Sequence, residues 1–163
     1  MTGVLNTTHT IELKGALPAG CTPEKAIALL HDHEYMIRLD KNLDRYETNE
    51  APKKEPEAVD AALKPCGETK LYLIHDNVKN VPGGIWDSKV DSSAEYTNLE
   101  SGIFILSRPP MGIVSRGKWL VQGGELVVVT EISCSKLLLP VVKSGYKENL
   151  DGMFDAILKK LAA

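Results

Sequence analysis

Cysteine is scarce in this chain, and that scarcity excludes the small disulfide-stapled domains. Cys21, Cys66 and Cys134 are odd in number and far apart, so three reduced thiols in a cytoplasmic protein are expected. The opening Met-Thr-Gly-Val-Leu-Asn has no positive leader region and no long apolar stretch, which supports the same location. The Asn6-Thr7-Thr8 sequon is discounted for that reason. Long apolar runs are missing as well. The longest, Leu137 to Val142, contains Pro140 and falls far short of the roughly 20 residues that span a bilayer, so no stable membrane insertion is expected. An excess of basic charge is also absent: 19 Lys and Arg against 22 Asp and Glu leave a net charge of −3, and no basic stripe offers itself to nucleic acid. There is no glycine-rich phosphate loop, nucleophile elbow, zinc signature or dinucleotide fingerprint. Gly83-Gly84 and Gly123-Gly124 read as turns, and no cofactor is expected. The one metal-like cluster is His31-Asp32-His33-Glu34. Residues two apart on a helix point to nearly opposite sides, so the cluster reads as a polar helix junction at the surface and no metal is assigned.

What is present is an ordinary globular composition, 43% hydrophobic and 25% charged, in a chain of a length that suits one domain with a core and a cavity beside it. From Leu5 to Leu13 the residues alternate, with Leu5, Thr7, His9, Ile11 and Leu13 on one face, which predicts a half-buried strand. Thr22 is placed to cap a helix with Pro23 at its first position and Glu24 in its first turn. A second short helix is expected over His33 to Leu39. Residues 41–68 are rich in Lys, Glu, Asp, Asn and Pro and read as a flexible surface insertion, a tolerated loop with a flap over a binding site as the alternative, with one short helical turn near Ala58 to Leu63.

Strands follow at Lys70 to His75, Trp86 to Thr97, Gly102 to Ser107, Ile113 to Val121 and Glu125 to Ser133. Their short connections favour an antiparallel meander. The strand at Trp86 puts Asp87, Lys89, Asp91 and Glu95 on one face, in water. The last element is the clearest. Val142, Tyr146, Leu150, Met153, Phe154, Ile157, Leu158 and Leu161 follow helical spacing, and Pro140 fits only a first turn. A helix from Leu138 or Leu139 to Leu161 is expected, about 35 Å long.

A strand, two short helices, a run of antiparallel strands and one long amphipathic C-terminal helix resemble the helix-grip fold of the START-like (birch-pollen-allergen-like, SRPBCC) superfamily. The likeness covers almost the whole chain. Pro82-Gly83-Gly84-Ile85-Trp86-Asp87-Ser88-Lys89-Val90, Arg108-Pro109-Pro110-Met111-Gly112 and the closing helix look like a fungal branch of it. The resemblance implies an α+β fold in which a curved sheet of six or seven strands wraps the long helix around an apolar cavity. It also places the chain among lipid and hormone carriers, polyketide aromatases and cyclases, and other natural-product enzymes.

Residues for such a cavity follow from strand phase. Ser88, Ser92 and Ala94 are small and leave volume, while Trp86 and Tyr96 make walls on the same face with Val90. Ser115 and Trp119 extend this lining from a later strand, and Tyr146 and Met153 come from the helix stripe; aromatic core is the alternative for both tryptophans. His9 is expected to point at the concave face, where an imidazole can act as acid or base; the alternative is a core histidine bonded to a neighbour. Tyr72 is the expected catalytic companion of His9 as a phenolic donor, with a place at the rim as the alternative. Arg116 is expected to be exposed, Arg108 to be a solvated loop residue, and His75-Asp76 to be structural.

Two functions fit. One is a cofactor-independent enzyme that binds a polyketide or terpenoid and promotes cyclisation, Diels-Alder cycloaddition or isomerisation. The other is a carrier of a lipid or other apolar ligand. Either acts as a monomer or homodimer on an apolar small molecule.

Overall fold

The computed structural model describes residues 6–52, 55–78 and 89–163. Strand β1 (Asn6–Ala16) is followed by helices α1 (Pro23–Leu30) and α2 (His33–Arg38), strands β2 (Leu43–Thr48), β3 (Lys70–Asn77), β4 (Lys89–Leu99), β5 (Gly102–Arg108), β6 (Val114–Gln122) and β7 (Glu125–Ser135), and helix α3 (Leu139–Ala162). The strands form one sheet in the order β1-β7-β6-β5-β4-β3-β2, antiparallel at every pairing. The hairpin between β6 and β7 turns on Gly123 and Gly124, whose φ angles of 56° and 77° suit the twist of the flanking strands.

The helices form where their sequence signals lie. Thr22 caps α1, its hydroxyl accepting from the Lys25 N–H at 3.2 Å, and Asp32 caps α2 through the Tyr35 N–H at 3.1 Å. In α3, Pro140 sits in the first turn and Lys159 and Lys160 in the last, where cations complement the helix dipole. Its inner stripe of Val142, Leu150, Phe154, Ile157 and Leu161 is buried and belongs to the same core as Ile103, Trp119, Val128 and Ile132 of the sheet.

Three expectations change here. The stretch 41–68 is not all surface insertion, because β2 lies within it and pairs with β3. The rest includes a single 3-10 turn at Ala61–Leu63. His31 and His33 are not a surface junction. His31 Nε2 lies 2.9 Å from the Leu99 carbonyl and 2.8 Å from that of Gly102, so it carries the hydrogen and donates. His33 lies 2.8 Å from Asn98 Oδ1 through Nε2 and 2.7 Å from the Tyr72 hydroxyl through Nδ1. A neutral ring that donates from Nε2 and accepts at Nδ1 satisfies both. The two histidines therefore fasten the helical pair to the sheet.

The third change concerns the outer face. Glu95 is 4% exposed rather than in water, and Arg108 is no loop residue: it ends β5 and pairs with Glu95. Alternation places Glu95, Leu106, Arg108 and Arg116 on the side of the sheet away from α3. The segment after β2 crosses that side. The Glu57 N–H donates to Glu95 Oε1 at 2.6 Å, and the Glu57 carboxylate takes a two-pronged bond from Arg116 at 3.0 and 2.9 Å. This strap buries Leu106 completely.

Candidate functional site

The inner face of the sheet can be read as rows of cross-strand partners. One row runs Tyr72, Ala94, Ser107, Ser115, Ile132, His9. The next runs Tyr96, Ile105, Gly117, Thr130, Ile11. The first row crosses β4, β5 and β6 at Ala94, Ser107 and Ser115, and the second crosses β6 at Gly117, so small side chains leave space unfilled between sheet and α3. A cavity of about 240 Å³ remains between them.

Val90, Ser92, Tyr96, Ser115, Trp119, Tyr146 and Met153 all stand around this cavity. Trp86 and Ser88 lie outside the described residues. His9 and Tyr72, expected to be catalytic, do not line it. His9 shares the face of Ile11 and Leu13 on the edge strand β1. It stands five strand intervals of about 4.8 Å from Tyr72 along one row, so the two cannot act on one bond. Tyr72 instead bonds His33 and packs edge-on against Tyr96 at 5.2 Å.

Other polar side chains line the cavity, among them Asp76, whose pair with His75 reads as structural in sequence. Asp76 follows Ile74 by two positions on β3, so it shares the inner face, and it lines the cavity with Asp40 and Asn42. Asp40 comes from the turn after α2, and its Oδ1 accepts the Asn42 N–H at 2.9 Å. Burial first, then a hydrogen bond and charge repulsion from Asp40, push the Asp76 carboxyl up to about 8. It is therefore largely protonated at neutral pH, and its Oδ1 has no protein partner. His75, its chain neighbour, points the other way and lies 2.8 Å from Asp91 through Nδ1.

Deeper in, the Tyr146 phenol reaches from α3 to the hydroxyls of Ser115 and Ser107, and burial raises it to about 12. Burial also raises Tyr96 well above the ordinary phenol value. Thr130, 2% exposed, has a hydroxyl without a hydrogen-bond partner. The cavity thus combines apolar walls with a protonated carboxyl, a neutral phenol and an unmatched hydroxyl. No group of His, Cys, Asp and Glu among the described residues could hold a metal ion, and no described helix is long and apolar enough to cross a membrane.

A curved antiparallel sheet gripping one long helix over an internal cavity is the helix-grip fold of START-like proteins, and solved structures share it. The Zhui aromatase/cyclase from a Streptomyces species aligns with a TM-score of 0.57 at 8% identity, covering 96% of this chain and 93% of its own. Ara h 8.0201 aligns at 0.55 and 15% identity, covering 95% and 98%. TTHA0849 from Thermus thermophilus aligns at 0.54 and 15% identity, covering 95% and 97%. No curated protein matches the sequence. The chain belongs to the family described as Domain of unknown function (DUF7053), which matches residues 6–163.

Proposed function

We propose that this protein is an enzyme that binds an apolar natural product, of polyketide or terpenoid type, and promotes its cyclisation or isomerisation by proton transfer. The observation that carries this reading is a half-buried carboxyl group, Asp76, set beside Asp40 in the wall of a mostly apolar cavity, where burial and that neighbour raise it to about 8. Such a group is matched to general-acid work at cellular pH. Asp40 receives or returns the proton. Tyr146, oriented by Ser107 and Ser115, offers a fixed hydrogen bond to an oxygen that gains charge. Packing against Trp119 and Tyr96 holds the reactive conformer.

The test is turnover of polyene, terpenoid and poly-β-keto substrates by the purified protein, followed by mass spectrometry. Asp76→Asn should lower turnover by about 10²–10⁴-fold, the usual worth of a general acid, whereas His9→Ala should leave it unchanged. Equal turnover in Asp76→Asn and the parent overturns the acid role. Recovery of a tightly bound, unaltered lipid from the isolated protein, with no turnover, selects carriage instead.

A further inference from the structure

The charges around the cavity are one-sided. Among the described residues its lining includes Asp40 and Asp76 but no Lys, Arg or His. The nearest lysine in sequence, Lys41, is committed to Glu148 at 2.5 Å. A half-buried acidic pair without a counter-ion among the described residues gains when a positive group enters beside it. Two further features point to a ligand. Asp76 Oδ1 and Thr130 Oγ1 both lack hydrogen-bond partners, and Thr130 is almost wholly buried in the same wall. Tyr96 and Trp119 border the same space, and aromatic rings suit a cation better than an anion.

We infer that the ligand of this cavity carries a basic nitrogen, a protonated amine that docks between Asp40 and Asp76, with its apolar body along Tyr96 and Trp119 and an oxygen function reaching Thr130. Asp76 and Thr130 stand on β3 and β7, four strand intervals apart in the sheet, so the ligand spans the cavity rather than occupying one end. The inference rests on the proposed binding of a small molecule here and adds its charge. It also leaves the acid chemistry intact, because an amine cation balances the charge of Asp40 while Asp76 keeps its proton.

Calorimetric titration with octylamine, octan-1-ol and octanoate, three probes of one chain length, tests it. Octylamine should bind at least about tenfold tighter than octan-1-ol, the worth of one charge-assisted hydrogen bond, and octanoate weakest. Asp40→Asn should erase the preference while octan-1-ol affinity stays, and Asp76→Asn, neutral like the protonated acid, should keep it, with circular dichroism reporting the fold. Asp155→Asn, on the exposed side of α3, should keep the preference and so exclude general attraction to an acidic protein. Octan-1-ol or octanoate binding as tightly as the amine overturns the inference and leaves the cavity reading standing. An amine preference that survives Asp40→Asn also overturns it. Binding of none of the three overturns both.

Discussion

Asp76 shows how one residue changes meaning with its surroundings. In sequence it is an acidic residue beside a histidine, typical of a solvated strand end. In the fold it faces the cavity, and its carboxyl rises to about 8 from an ordinary value of 3.8. Over that window the folded chain holds a proton that the unfolded chain has lost. The linked stability is full below about pH 4 and is lost as the pH climbs through about 8. Urea midpoints at pH 5 and pH 8 should therefore fall more steeply for the parent than for Asp76→Asn, which cannot ionise there. Parallel slopes would show that Asp76 titrates as it does in the unfolded chain. The strand phase that puts Ser92 and Tyr96 on the inner face, at the cavity wall, also contains the signal for Asp76, since Ile74 and Asp76 share a face. The missing part was Asp40, which only the turn after α2 brings alongside. His9 shares the inner face that its phase implies, but the edge strand β1 sets it far along the row from the cavity.

At the scale of elements, strong periodicity was readable and edge chemistry was not. Helix α3 and strands β4 to β7 follow their apolar repeats closely. Strand β2, Leu-Asp-Arg-Tyr-Glu-Thr, buries no side chain fully, because as an edge strand it needs only backbone partners on β3. Its polar composition therefore resembled a loop. The outer strap was hidden for a related reason: Glu95 and Arg108 are charged, and only their pairing makes burial tolerable. Glu95→Leu should cost about 3 kcal/mol in chemical unfolding, the low end for a broken buried pair because the Arg108 side chain keeps some exposure. Adding Arg108→Met should recover most of that loss. A double variant no more stable than the single would assign the cost to packing. In α3, a methyl group added at Gly145 or Gly152 meets nothing within 4 Å. Gly145→Ala and Gly152→Ala should each stabilise by about 0.4–1 kcal/mol through helix propensity. A loss of stability at either position would reveal a packing role for that glycine.

For the whole molecule, the cavity couples ligand to stability. Anything that binds the folded chain alone raises its melting temperature by mass action. A ligand at about a hundred times its dissociation constant contributes about 2.7 kcal/mol, or roughly 5–10 °C for a chain of this size. Thermal scans against fractionated small-molecule extracts should find such a shift. Its loss in a cavity-filling Ala94→Phe variant that still folds would locate the binding, and its persistence would place the ligand elsewhere.

The row Ala94, Ser107, Ser115 crosses three neighbouring strands, and Gly117 stands beside it. Backbone pairing at these positions is indifferent to what the side chain is, so the dimensions of the chamber are written in a handful of codons while the architecture is written elsewhere. Single substitutions along this row therefore change the ligand that fits while the strand pairing stays, and proteins alike in shape need not share a substrate.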